Sequence, residues 1–214
     1  MTLEIARLVA PALATGIDMD GVKIDLARDA AAKRGVTNVR FQTMNLHDWH
    51  EHAYYDFVYT RFVLQHLSEP VDMLRRMWEA VRPGGLIVVE DADFDGWTCH
   101  PRSAGFDFFT RTYAEVISRA GGDHALGRKL YSCFLEAGIG KPEISATEPV
   151  YIEGEAKSLP WTTLDATADL IIAESIASRD ELEAALMDLK RITNDPESLI
   201  AGPRIFQLWR QREV

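Results

Sequence analysis

The chain has 214 residues, of which 47% are hydrophobic and 26% charged, and its formal net charge is −10. That length and balance suit one sizeable, water-soluble globular domain. An acidic surface repels phosphate backbones, which argues against a nucleic-acid partner, and no apolar run reaches the length of a membrane span. The two cysteines, Cys99 and Cys133, share no metal spacing. They suit free thiols in a reducing cytoplasm, where the chain is expected to work. Leu8 to Ala14 looks superficially like a signal-peptide segment, but Glu4 and Pro11 argue for a helix followed by a strand.

Thr2 to Val9 carries a helical apolar face that Pro11 closes. Leu13 to Asp18 reads as a short buried strand ending in an acid. Asp20 to Arg34 is predicted as a helix with Val22, Ile24, Leu26, Ala27, Ala30 and Ala31 inward, stopped by Gly35. Val39 to Met44 and Tyr55 to Thr60 are the next strands. A helix from Pro70 to Arg82 places proline where a helix tolerates it, and Pro83-Gly84-Gly85 breaks it. Leu86 to Glu90 is nearly continuous in apolar residues, the pattern of a strand covered on both faces.

Beyond residue 100 the spacing predicts helices over Ser103 to Arg119 and Ala125 to Ala137, then one strand over Ile144 to Ile152. A helical pair follows, Leu164 to Ala177 and Arg179 to Ile192, the second opened by the capping box Ser178-Arg179-Asp180-Glu181. Arg204 to Trp209 is the last strand. With no repeat, low-complexity stretch or linker, residues 1–214 read as one domain, with halves at 1–95 and 96–214 and a helical insert over 155–198.

Asp18 ends a strand in a Rossmann-like series, where a carboxylate can accept two hydrogen bonds from ribose hydroxyls. Asp48 follows the neighbouring strand and could hold an amino group of a base. Each acid could instead cap its own loop. The cluster His47, Asp48, His50, Glu51 and His52 matches no standard metal spacing and reads as a solvated loop, so no metal is expected. Asp91, Asp93 and Asp95 alternate past a strand end, where α/β sheets bind ligands, and one could accept a proton from a substrate. Trp97, His100, Phe106, Phe108, Phe109 and Tyr113 could wall a substrate pocket or simply form core. His100 could serve as a base.

Three segments carry a resemblance: Thr15-Gly16-Ile17-Asp18; Tyr55-Asp56-Phe57-Val58-Tyr59-Thr60-Arg61-Phe62-Val63-Leu64-Gln65-His66-Leu67; and Val81-Arg82-Pro83-Gly84-Gly85-Leu86-Ile87-Val88-Val89-Glu90-Asp91. In this order and spacing they resemble class I S-adenosylmethionine-dependent methyltransferases, closely over residues 1–95 and in outline beyond. The resemblance implies an α/β, Rossmann-like three-layer sandwich with a mostly parallel sheet and a helical insert before the last strand. It implies S-adenosyl-L-methionine as cofactor and a small molecule as substrate. Asp18 would bind the ribose and Met19 pack on the adenine. Asn45, Leu46 and Asp48 would hold the adenine edge, and Thr60, Arg61 and Phe62 would border the methionine end. Gln65 and His66 would sit near the reactive methyl, with His66, Asp93 and His100 as candidate catalytic groups.

The chain departs from the family at its start. No glycine-rich loop precedes Gly16, and the strand that should lie between the strand at residue 14 and the strand at residue 55 is missing. An N-terminally truncated methyltransferase is the expectation. Two unpaired edges could recruit a partner, including a second copy of the chain. A methyltransferase-like binding or scaffold protein without catalysis is therefore the alternative reading. A nicotinamide-dependent oxidoreductase is a third, since Asp18 would also suit that ribose.

Overall fold

A computed structural model describes residues 1–214, which divide into two compact units, Met1–Glu51 and His52–Val214. Each has its own core. No helix is long and apolar enough to cross a membrane.

The first unit contains helix α1 (Thr2–Val9), strand β1 (Ala14–Asp18), helix α2 (Gly21–Lys33) and strand β2 (Val39–Thr43). β1 and β2 pair in parallel, from Ala14 beside Val39 to Asp18 beside Thr43. Leu3, Ala6, Ala14, Ala31 and Val36 make the core, with Phe41 packed against it. Asn38 ties the helix to the strand entry, its side-chain N–H groups donating to the carbonyls of Ala6 at 2.6 Å and Ala12 at 2.8 Å. Asp20 caps α2 by accepting from the backbone of Val22 at 2.9 Å. The inward face read for this helix is only partly right. Ile24 and Ala31 are buried, but Val22 is 69% and Leu26 64% exposed. A two-stranded sheet is too narrow to cover a whole helical face.

The second unit opens with β3 (Tyr55–Arg61), α3 (Pro70–Ala80) and β4 (Val81–Asp93), and continues through β5 (Thr98–His100), α4 (Ala104–Arg119) and α5 (Leu126–Glu136). Then come β6 (Glu143–Thr147), β7 (Val150–Tyr151), α6 (Leu159–Ala166), α7 (Ala168–Ala173), α8 (Arg179–Asn194), β8 (Leu199–Ala201) and β9 (Arg204–Gln211). Its main sheet has the order β3-β4-β9-β6, with β3 parallel to β4 and β9 antiparallel to both neighbours. β1 bonds only to β2 and β3 only to β4, so the expected single sheet is present as two ladders.

Several boundaries differ from the sequence reading. Helix α3 ends at Ala80, and Pro83-Gly84-Gly85 lies inside the β4 run, not as a break before it. The ladder absorbs these residues as an irregularity: Tyr55 pairs with Val81 but Phe57 with Leu86. Along β4, Ile87 and Val89 are buried while Leu86 and Val88 are half-buried, so the strand alternates instead of being covered equally on both faces. The stretch 144–152 is two strands, because Pro149 cannot continue a ladder: β6 joins the main sheet and β7 a second, three-stranded sheet of order β5-β8-β7. The helix expected over 164–177 is broken into α6 and α7 at Thr167, whose hydroxyl bonds back to the Thr163 carbonyl at 2.9 Å.

The insert shares one core with α4, the turn after β4 and β8: Phe94, Phe106, Phe109, Leu164, Ile171, Leu182, Leu189 and Ile200. The capping box at Ser178 and Glu181 starts α8 as expected. Lys157 is buried and donates to the carbonyls of Ile152 at 3.0 Å and Asp195 at 2.8 Å, joining the entry and exit of the helical segment. Asp188 fastens α8 to the start of α4, accepting from Ser103 Oγ at 2.6 Å and Gly105 N at 2.9 Å. Partial burial pushes the Asp188 carboxyl up, but the bonds from Ser103, Gly105 and Arg191 outweigh it and the net shift is downward. A depressed carboxyl stabilises the fold above its unfolded value and loses that contribution as pH falls through the folded value. Asp188→Ala should therefore cost about 1–3 kcal/mol near neutral pH, by orphaning donors at a helix start. Urea unfolding measures this, and the deficit should shrink in acid. A variant as stable as the parent at neutral pH would refute it.

Candidate functional site

In the first unit, the ends of β1 and β2 lie side by side. Met44 N donates to the Asp18 carbonyl at 2.9 Å, so the segment after β2 runs beside the Asp18–Asp20 turn. The Asp18 carboxylate is half-buried and one oxygen accepts from Asp20 N at 2.9 Å. Met19 is 73% exposed, an apolar side chain beside that acid. A 3₁₀ turn, Leu46–Asp48, follows β2, and Asn45 starts it by accepting from His47 N at 2.9 Å. Asp48 is exposed at the end of this turn. Sequence reasoning thus named five residues that the fold gathers at one edge: Asp18, Met19, Asn45, Leu46 and Asp48. The local-cap reading holds for one oxygen of Asp18, while the cap of the 46–48 turn is Asn45, a residue for which no cap was expected.

In the second unit, Thr60, Arg61 and Phe62 stand at the carboxyl end of β3. Arg61 Nε lies 3.2 Å from Glu90 Oε2, an ion pair by distance whose N–H is not aimed at the oxygen. Gln207 donates to the other Glu90 oxygen at 2.5 Å. Burial, then the neighbouring Glu90, pushes the Tyr59 hydroxyl up to about 12, so it stays protonated. Phe62 has φ +55°, a left-handed conformation that costs energy in a bulky residue and concentrates at functional sites. It turns the chain out of β3 into Val63–His66.

That turn is clamped from two sides. Asp91, fully buried at the end of β4, accepts from Gln65 N at 3.2 Å and Ala92 N at 3.1 Å. On the other side, Asp123 N donates to the Gln65 carbonyl at 2.8 Å. A Cβ on Gly122 would run into that carbonyl, so glycine permits the approach. The Gln65 side chain is buried beside His66, Nε2 to Nε2 at 3.3 Å, and its Oε1 has no partner. Burial pushes the His66 imidazole below its ordinary value, toward the neutral form that can take a proton.

The remaining candidates part company. Asp93 is completely buried and ion-paired to Arg128 and, at 3.4 Å, to Arg204. Two guanidiniums occupy its oxygens, which makes it a structural tie. His100 is not in a loop; it is an exposed residue of β5, paired with Leu199 in the small sheet. Trp97, Phe106 and Phe109 do form core, with Trp97 and Phe109 edge to face at 5.6 Å. Sequence reasoning left out His124, whose Nε2 lies 3.4 Å from Asp95 Oδ1, and Arg128, which bridges Asp93 and Asp95. No local pattern marks either residue. Their partners are about 30 positions away in sequence, and only the packing of α5 on β4 brings them together.

The family description "Methyltransferase domain" matches residues 1–132. Among curated proteins, the chain is 28% identical over 158 residues to an uncharacterized 37.1 kDa protein in transposon TN4556 of Streptomyces fradiae, covering 71% of this chain and 44% of that one. It is 40% identical over 60 residues to methyltransferase str3 of Strobilurus tenacellus, covering 27% of this chain and 22% of that protein. The chain thus spans less than half the length of either relative. Among solved structures, the [4+2]-cyclase SpnF matches with a TM-score of 0.55 and 22% identity, over 99% of this chain and 70% of that one. A cyclase on this fold shows that the architecture does not by itself fix the reaction.

Proposed function

We propose that this chain, which belongs to the methyltransferase-domain family, transfers a methyl group from S-adenosyl-L-methionine to a small-molecule acceptor. The observation that carries the reading is the half-buried Asp18 carboxylate at the end of β1, one oxygen held by Asp20 N, beside the 45–48 turn. This donor-seeking acid fits the nucleoside end of the cofactor: Asp18 would accept from ribose hydroxyls, exposed Met19 would cover the base, and Asn45, Leu46 and Asp48 would meet its edge. The bound cofactor would supply an electrophilic methyl group on sulfur. In the second unit, Thr60, Arg61 and Phe62 close β3, where left-handed Phe62 fixes the direction of the chain. Neutral His66, steadied by Gln65, would accept the proton of the acceptor's hydroxyl or amine. Asp93 would hold α5 in place through Arg128, and exposed His100 belongs to the small sheet.

Calorimetric titration of the chain with S-adenosylhomocysteine tests this reading. Micromolar-range binding is expected, weakened at least tenfold by Asp18→Ala, since two charge-assisted hydrogen bonds are lost. A cooperatively folded chain that binds nothing would sink methyl transfer for this polypeptide and favour the scaffold reading.

A further inference from the structure

A cavity of about 280 Å³ opens immediately past the carboxyl end of β4. Its walls are Phe94, Asp95 and Trp97 from the turn after the strand, Thr110 and Arg111 from α4, and His124 from the loop before α5. The backbone fixes this shape, with Phe94 N donating to the His124 carbonyl at 2.9 Å. Strand carboxyl ends are where α/β sheets place ligands.

Three features define what the cavity would hold. First, the walls are aromatic: Phe94 and Trp97 stand 5.7 Å apart and tilted, and the volume is roughly twice the ~150 Å³ that accommodates benzene. Second, the Trp97 indole N–H is shielded from solvent and has no partner. A buried orphan donor is costly and calls for an acceptor atom. Third, the charges are unequally committed. Asp95 pairs at 3.0 Å with Arg128, a cation it shares with Asp93, and lies 3.4 Å from His124, whereas Arg111 is in no ion pair within 4 Å, meets the Phe108 ring at 5.6 Å and draws on Glu181 only at longer range. One cation is therefore left for an anionic ligand, and the Asp95–His124 pair can take a hydrogen bond from a hydroxyl.

We propose that this cavity binds a hydroxylated single-ring aromatic acid, its ring against Phe94 and Trp97, its carboxylate on Arg111 and its hydroxyl on His124. The ligand would be the methyl acceptor; that label alone rests on the methyl-transfer reading, and the binding site does not.

Calorimetry with 4-hydroxybenzoate tests it, with phenol and cyclohexanecarboxylate as controls lacking the acid and the aromatic ring. Binding in the millimolar range or tighter is expected, with both controls weaker by about tenfold. Arg111→Ala should weaken 4-hydroxybenzoate by about tenfold, and Ala114→Trp, which fills the cavity from α4, should abolish binding in a chain whose unfolding stays cooperative. No binding to the folded parent, or binding that survives both variants, would overturn the proposal. S-adenosylhomocysteine titrated in parallel separates the two readings. If it binds while the acid does not, the pocket falls and methyl transfer stands. An acid that binds through Arg111 to a chain without affinity for S-adenosylhomocysteine keeps the pocket and removes the acceptor label.

Discussion

Asp91→Asn is expected to unfold at higher urea concentration than the parent near pH 8, by a margin that narrows near pH 5 and closes near pH 4. Burial raises the Asp91 carboxyl from 3.8 to about 7, against the opposing pull of backbone N–H groups at Ala92 and Gln65. The sign follows from linkage. A carboxyl raised in the folded state contributes stability that is full below its unfolded value and lost as pH rises through the folded value. Between about pH 4 and 7, the parent must therefore lose stability that the uncharged asparagine does not. A shift of this size corresponds to about 4 kcal/mol at most, and relaxation around the site leaves an expected difference on the order of 2–4 kcal/mol. Asparagine keeps a carbonyl oxygen for the Gln65 N–H, so the clamp on Val63–His66 survives. Taking the difference between variant and parent cancels other titrating groups, including His66. A variant less stable than the parent at the higher pH would show that the ionised carboxylate is a net stabiliser through its backbone donors.

Gly127→Ala should destabilise the second unit by about 1–3 kcal/mol, the usual cost of forcing atoms into a packed contact. A Cβ at this position would stand 2.7 Å from the Ala92 carbonyl carbon and 2.8 Å from both Asp91 O and Asp93 N. All three are backbone atoms of β4, so no side chain can swing aside. Helix α5 would have to move off the strand, taking Arg128 away from Asp93 and the 123–125 loop away from Gln65. The effect should appear twice: in urea unfolding, and in weaker 4-hydroxybenzoate binding, because His124 belongs to that loop. Unchanged stability would mean that α5 can shift without penalty and that the close approach is incidental.

Local signals in the sequence located most elements correctly. Pro70 at the first turn of α3 and the Ser178–Glu181 box at α8 are chemistry between neighbours, so they read directly. The parallel pair ending in Asp18, and the gathering of residues 45–48 beside it, followed from the strand–acid–helix–strand rhythm. The amino-acid sequence by itself therefore determined the fold class and the strand end that carries Asp18.

Tertiary structure decided the rest, because the deciding contacts join residues far apart along the chain. Asp93 looked like a free acid until Arg128 and Arg204 closed on it, the latter 111 positions away. His100 looked like a loop base until Leu199 paired with its strand. The small β5-β8-β7 sheet consists of strands of two or three residues, too short to show a period of their own. Gln65 and His66 could be named from their motif, but the burial that lowers the His66 imidazole comes from tertiary packing. The aromatic cavity belongs to the same class: Phe94, Arg111 and His124 share no local pattern, and they meet only because Gly122 and Gly127 let that loop and α5 approach the backbone of their neighbours.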